Sequence, residues 1–139
     1  MKSIIAFAVV TWFICAAPAV AAVEPILVLA AASINTSKLE ELLGREVVVQ
    51  GLVVKAHMSK SGDAIILDFS EEWTSHLSVI IPSELFGDFP QWQNLQGEII
   101  NVNGVIIEFT GRVGKHDVRK PEIRITSKEQ LLFPVPIPF

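Results

Sequence analysis

The sequence lacks most of the chemistry that cross-links secreted domains or carries out catalysis. It has one cysteine, no tyrosine and three widely separated histidines, His57, His76 and His116. One cysteine excludes an internal disulfide, and histidines so far apart do not form the close pairs of zinc motifs. Ser75 precedes His76, but neighbouring side chains on a strand point apart. We therefore expect no enzyme activity, no metal site and no cofactor.

Positive charge is also scarce, because 11 basic residues face 15 acidic ones and the net charge is -4. This balance argues against indiscriminate binding to polyanions, which usually requires a basic surface. Any contact with nucleic acid must therefore be concentrated in a few loops.

Long apolar runs are absent except at the N-terminus. Residues 4–15 are almost entirely apolar, follow Lys2, and lead into alanines spaced as signal peptidase prefers. We expect a signal peptide at residues 1–22 and secretion to the periplasm, with no stable membrane insertion after cleavage. An uncleaved anchor is the alternative, since roughly 20 residues span a bilayer, but Pro18 and the small residues favour cleavage.

The sequence does contain one motif that occurs twice, at residues 44–54 and 97–107, which we call the repeated phrase. In each copy a glycine opens a β-branched run and a second glycine follows in mid-strand: Gly44 and Gly51, then Gly97 and Gly104. A glycine inside a strand normally weakens it. Here it predicts bends of the kind that small barrels need at their corners.

The two-residue alternation of apolar side chains predicts five strands. A capping box of Ser37 and Glu40 predicts a short N-terminal helix that ends at Gly44. The spacing of Phe89, Trp92 and Leu95 predicts a second short helix between strands three and four, and residues 110–121 are expected to form a long polar loop. The inward sets are Val47, Val49, Gly51 and Val53; Ile65, Leu67 and Phe69; Leu77, Val79 and Ile81; Ile100, Val102, Gly104 and Ile106; Ile123 and Ile125.

This order predicts an all-β chain, a five-stranded OB-fold Greek-key barrel. We expect an N-terminal extension at residues 23–36, the OB-fold domain at residues 37–132 and a Pro-rich extended tail at residues 133–139. The tail either covers an apolar groove of the barrel or docks a partner.

The residues also carry a family resemblance, spread over residues 39–131. They resemble the OB-fold nucleic-acid-binding domains found alone or beside nucleases in secreted bacterial proteins. The resemblance implies a module that binds nucleic acid. Its motifs are Gly44-x6-Gly51, Ser61-Gly62 with Leu67-Asp68-Phe69, Leu77-x-Val79-x-Ile81, Gly97-x6-Gly104, Gly111, and Pro121-x-Ile123-x-Ile125.

OB barrels usually bind ligands on the outer face of strands two and three, between two hairpin loops. The expected face carries Ile66, Asp68, Ser78 and Ile80 but no aromatic residue, so stacking would depend on Trp73 and Phe109. Trp73 could instead be a hydrophobic lid, and the loops could be basic merely for solubility. The expected nucleic-acid-binding residues are Lys55, His57 and Lys60 in the first loop, Trp73 in the loop after strand two, Arg112, Lys115, His116, Arg119 and Lys120 in the second basic loop, and Arg124 on the last strand.

We therefore expect a non-catalytic, secreted OB-fold module whose ligand is single-stranded DNA or RNA. One alternative is a protein-interaction or envelope-stress module whose partner is another secreted protein. Another is an accessory domain that presents substrate to a separate nuclease.

Overall fold

The computed structural model of the protein describes residues 27–133. The expected signal peptide lies outside the described residues, as does the Pro-rich tail after Phe133. Within residues 27–133, no helix is long and apolar enough to cross a membrane.

The described part of the chain is mostly β, as predicted. One α-helical turn, α1, spans Leu39–Leu42, and the remaining helical segments are short 3-10 turns at Ala31–Ser33, Thr36–Lys38, Ser83–Asp88, Trp92–Leu95 and Lys128–Gln130. The strands are β1 Leu27–Ala30, β2 Glu46–Leu52, β3 Lys55–Met58, β4 Ala64–Asp68, β5 Ser78–Pro82, β6 Ile99–Val105, β7 Ile107–Val113, β8 His116–Arg124 and β9 Leu131–Leu132.

The strands form two sheets rather than the single closed barrel that we expected. The four-stranded sheet has the order β1-β2-β6-β9, and the five-stranded sheet has the order β3-β4-β5-β8-β7. Strands β1 and β2 are parallel, as are β5 and β8, and the other neighbours are antiparallel. The difference arises because the chain continues from β2 into β3 across residues 53–54 and from β6 into β7 across Ile106, and passes from one sheet to the other each time.

The two copies of the repeated phrase pair with each other. Strand β2 lies antiparallel to β6, with Val47 opposite Gly104 and Gly51 opposite Ile100. A Cβ atom on Gly51 would lie 2.6 Å from the Cβ of Ala31, and one on Gly104 would lie 2.6 Å from Cγ2 of Ile123. The mid-strand glycines therefore leave room for a neighbour.

The opening glycines have a different role. Gly44 has a φ of 81° and Gly97 a φ of 90°. Both values lie in the left-handed region that glycine adopts without strain. These two residues turn the chain into β2 and β6.

The inward residues predicted by alternation form the core. Nearly all of them are buried; Gly51 is half-buried. The core also includes Ala31, Ile34, Leu39, Leu42, Leu85, Leu95 and Leu131. It lies between the two sheets.

The expected N-terminal extension contains a strand and a turn that the sequence did not reveal. Strand β1 pairs with β2, and Asn35, not Ser37, caps the turn that follows, because its Oδ1 accepts from the Ser37 amide at 3.0 Å. The predicted capping box is therefore wrong. Ser37 already lies inside the Thr36–Lys38 turn, one turn before α1.

The single helix expected between strands three and four is instead a pair of 3-10 turns, Ser83–Asp88 and Trp92–Leu95. Leu95 is buried, and Phe89 and Trp92 pack against the core. The prediction that these apolar side chains face the core was thus correct, but the two segments are 3-10 turns rather than one α-helix.

The predicted long loop at residues 110–121 is wrong. Strands β7 and β8 pair without a gap from Ile107 opposite Glu122 to Val113 opposite His116, leaving Gly114 and Lys115 as the turn. The expected first loop is also shorter, because Lys55 and His57 belong to β3. Backbone hydrogen bonds form this ladder whatever the polarity of its side chains, so a polar composition did not predict a loop here.

Candidate nucleic-acid interface

The outer face of the five-stranded sheet holds a concave site of about 460 Å³, which we call the outer-face groove. Its floor is apolar, because Ile66 on β4 lies opposite Ile80 on β5. Sixteen residues line it: Lys55, His57, Met58, Ser59, Lys60, Asp63, Ala64, Ile66, Asp68, Trp73, Ser78, Ile80, Phe109, Lys120, Glu122 and Arg124.

Two aromatic side chains line the groove, although the strands expected to form this face contain no aromatic residue at its outward positions. Trp73 comes from the segment between β4 and β5 and is 41% exposed, and Phe109 comes from β7 and is 37% exposed. A Cβ on Gly111 would lie 2.7 Å from Cζ of Phe109, so the ring occupies the space above this glycine. The groove therefore offers two accessible aromatic surfaces beside an apolar floor.

Six of the ten predicted binding residues line the groove. They are Lys55, His57, Lys60, Trp73, Lys120 and Arg124. Lys55, Lys60, Lys120 and Arg124 bring four cationic side chains to the same site as three carboxyl groups, those of Asp63, Asp68 and Glu122.

The other four predicted residues lie on the β7–β8 hairpin away from the groove. Arg112 Nε lies 3.1 Å from Asp117 Oδ1, and Lys115 is in the turn. Arg119 binds Glu40 at 2.5 Å and Glu108 at 3.0 Å. Hydrogen bonds to Glu108 and Glu40 raise the pKa of Arg119 above its already high value.

Two of these residues, His116 and Arg119, share a second site. Together they line a separate depression with Thr36, Thr74, Val113, Asp117 and Val118. Successive residues of β8 face opposite sides, so Lys120 enters the groove and Arg119 does not. Arg119 and Lys120 were predicted to act together because residues 110–121 were expected to form one loop.

Four polar or charged residues are buried in the described part of the chain, and all four line the groove. Their exposed fractions are 3% for Asp68, 1% for Ser78, 3% for Lys120 and 7% for Glu122. Buried polar groups cost free energy unless they are partnered. Their concentration at one site marks it as the candidate functional site.

Three of these residues form a hydrogen-bonded chain that also includes His57. Lys120 Nζ donates to Ser78 Oγ at 2.6 Å, and Ser78 Oγ donates to Asp68 Oδ1 at 2.6 Å. Asp68 Oδ2 lies 3.0 Å from Nε2 of His57. Burial lowers the pKa of Lys120, although Asp68 and Glu122 oppose this effect. The chain fixes the position of the Lys120 ammonium group.

Glu122 differs from the other three because its carboxyl group has no hydrogen bond or ion pair with any residue of the described range. Burial raises its pKa, and Arg124 and Lys120 only partly oppose that shift. No sequence pattern indicated this, since Glu122 lay at the start of an expected strand.

Features of enzymes are few in this part of the molecule. Ser75 Oγ lies 3.0 Å from His76 Nδ1, so the expectation that these side chains point apart is wrong. The reason is local: both residues precede β5, where strand alternation does not apply. Residues 27–133 contain no group of three or more metal-ligating side chains.

No family model matches the chain, and neither does any curated protein. The chain is similar to OBody AM1L10, solved bound to hen egg-white lysozyme, with 21% identity over 84% of this chain and 99% of that one and a TM-score of 0.48. It is also similar to OBody AM2EP06, likewise solved bound to hen egg-white lysozyme. The identity is 22% over 81% of this chain and 96% of that one, and the TM-score is 0.49.

The chain is also similar to the aspartyl tRNA synthetase from Entamoeba histolytica. The identity is 14% over 83% of this chain, the TM-score is 0.45, and the chain spans only 27% of the synthetase.

Proposed function

We propose that the chain is an OB-fold module that binds single-stranded nucleic acid in the outer-face groove and catalyses no reaction on it. One observation carries the proposal: the groove combines two accessible aromatic rings, an apolar floor and four cationic side chains. Bases can stack on the rings while the cations contact phosphates. Secretion, which rests on residues outside the described range, stays a prediction.

Continuity between the two sheets supports the OB-fold part of the proposal. Only Val53 and Val54 separate β2 from β3, and the Val53 amide donates to Glu98 while the Val54 amide donates to Asp68, both at 2.9 Å. Glu98 directly precedes β6 of the four-stranded sheet, whereas Asp68 is the last residue of β4 in the five-stranded sheet. This segment is therefore a bent strand that serves both sheets.

The same holds for β6 and β7, which only Ile106 separates. Its amide donates to the carbonyl of Arg45 at 3.0 Å, just before β2 begins. If β2–β3 and β6–β7 are each counted as one strand, five strands pair in a ring, as they do in an OB-fold barrel.

The chemistry of the groove suits a single strand better than a duplex. Stacking on an aromatic side chain contributes about 1–3 kcal/mol per base and requires an unpaired base. Trp73 and Phe109 provide the surfaces, and Lys55, Lys60 and Arg124 provide charges for the backbone. Three phosphate contacts predict that log affinity falls with log salt at a slope of about -2.

A titration tests the proposal. A fluorescently labelled single-stranded oligonucleotide should bind at about 50 mM salt and show this salt slope. The triple variant K55Q/K60Q/R124Q should lose most of the affinity. Its matched control, R112Q/K115Q/K128Q, removes the same charge outside the groove and should bind nearly as the wild type does. Absence of binding at about 50 mM salt would contradict the proposal.

A protein-interaction role is the second candidate, because the outer face of the four-stranded sheet exposes apolar side chains. Leu52 and Ile99 lie opposite each other and are 49% and 51% exposed, and Val28 is 73% exposed. Exposed apolar patches commonly mark protein contacts. The substitutions L52K and I99K together should abolish binding to a protein partner and leave oligonucleotide binding unchanged.

An accessory role beside a separate nuclease is compatible with the first candidate, since it requires the same binding site. In that case the nuclease supplies the catalytic chemistry. The titration above would then describe substrate capture.

A further inference from the structure

Lys120 and Glu122 are opposite charges that share a face of β8 and a groove, yet they do not pair. They are 3% and 7% exposed, and no nitrogen–oxygen distance of 4 Å or less joins them. The Lys120 ammonium group has three N–H donors, and Ser78 takes one of them. Within residues 27–133, two donors and a whole carboxyl group therefore remain available beside each other.

Such an arrangement costs free energy in the unbound protein, because buried charged groups need partners. A ligand that offers an acceptor next to donors would supply those partners. Resting on the proposed function, we infer that the outer-face groove reads the identity of one base and prefers guanine.

Guanine is the base whose edge matches the pair. Its Watson–Crick edge carries the O6 acceptor followed by two adjacent donors, N1–H and N2–H. Lys120 Nζ donates to O6, and the two oxygens of Glu122 accept from N1–H and N2–H. Adenine, cytosine and thymine each offer one donor group on that edge, so none can satisfy both carboxylate oxygens with adjacent donors.

The surroundings of Lys120 fit a stacked base. Its Nζ lies 5.6 Å from the centroid of the Trp73 ring, so a base read by this ammonium group lies within reach of the indole. The chain through Ser78, Asp68 and His57 holds the ammonium group in place before the ligand arrives. A donor that is already fixed loses less conformational entropy on binding.

The test uses octamers of thymidine that carry one central dG, deoxyinosine, dA or dC, titrated by fluorescence anisotropy. A well-placed bidentate pair discriminates between bases by about tenfold in affinity. The dG octamer should bind about tenfold tighter than the dA and dC octamers. Deoxyinosine lacks the N2 amino group and should lose most of this advantage.

Two protein variants make the assignment specific. E122Q keeps the shape of the side chain but replaces one acceptor by a donor, so the preference for dG should disappear. The control E98Q changes an exposed carboxyl group outside the groove and should retain it. Thermal melting of both variants shows whether each is folded.

The outcomes separate the two levels of the proposal. Equal affinity of the wild type for all four octamers would overturn base reading and leave single-strand binding in place. Retention of the dG preference by E122Q would overturn the assignment to Glu122. No binding to any octamer would overturn the proposed function together with the inference.

Discussion

The β2–β6 pair and the outer-face groove use buried residues in opposite ways. In the pair, Val47, Val49, Ile100 and Val102 are fully buried and apolar. In the groove, the buried set comprises Asp68, Ser78, Lys120 and Glu122. Apolar burial stabilises a fold by roughly 25 cal/mol per Å², whereas buried charges cost free energy.

This difference indicates a division of labour between the two regions. The repeated phrase builds a tightly packed framework whose buried side chains are apolar. The groove holds polar and charged side chains away from water and depends on the framework for stability. Proteins commonly depart from good packing rules at their functional sites.

The largest expected effect is loss of stability from G51A in the framework. The added Cβ would lie 2.6 Å from Cβ of Ala31 and 3.0 Å from Phe69, so the core must shift. We expect a decrease of about 3 kcal/mol in the free energy of unfolding, measured by urea denaturation. G87A is the control, since nothing lies within 4 Å of its Cβ position. Equal stability of the two variants would show that packing does not explain Gly51.

The next effect tests the polar network of the groove. S78A removes the hydroxyl group that joins Lys120 to Asp68 and should lower the free energy of unfolding by about 2 kcal/mol. The exposed Ser83 provides the control, and S83A should change stability by less than about 0.5 kcal/mol. In the K120M background, S78A should lower the free energy of unfolding by less, because the Lys120 ammonium group that would lose its acceptor is no longer present. A full cost in both backgrounds would argue against the network.

The framework could be predicted from the sequence far better than the groove. A two-residue period reveals which side of a strand is buried, so the positions of Val47, Ile65 and Ile100 followed directly. The β7–β8 hairpin could not be read in this way, since backbone bonds hold a ladder whose side chains are mostly polar.

The groove could not be predicted from local sequence patterns, because its residues come together through contacts between distant segments. Ser78 and Lys120 meet only because β5 and β8 pair in parallel, and that pairing depends on the topology of the whole sheet. Trp73 and Phe109 were both candidates for stacking in the sequence, but only the fold places them in one groove. Glu122 was missed because an acidic residue in a strand gives no sign of whether it is buried.

Removal of the Trp73 ring should have an intermediate effect, on binding rather than on stability. Trp73 is 41% exposed and lines the groove, so W73A should weaken single-strand binding about tenfold by loss of stacking. Fluorescence anisotropy measures the change. Phe133, 58% exposed beyond β9, provides the aromatic control, and F133A should bind normally. Equal losses for both variants would remove Trp73 from the site.

The smallest effect is a pH dependence due to Glu122. Burial raises its pKa above the ordinary value of 4.5, so the native state holds this proton more tightly than the unfolded state does. The wild type should therefore lose stability as the pH rises from the ordinary pKa through the raised one. E122Q lacks this loss, so its stability relative to the wild type should increase across that window and then level off. Urea denaturation in steps of pH measures it, and parallel curves for the two proteins would contradict the account.

The central claim is that single-stranded nucleic acid binds in the outer-face groove, and chemical-shift mapping by NMR tests it most directly. A titration with a short single-stranded oligonucleotide should shift the resonances of residues 55–60, Ile66, Trp73 and residues 120–124. The resonances of Val28, Leu52 and Ile99, on the other sheet, should stay in place. Shifts confined to those three residues, or no shifts at saturating oligonucleotide, would contradict the account.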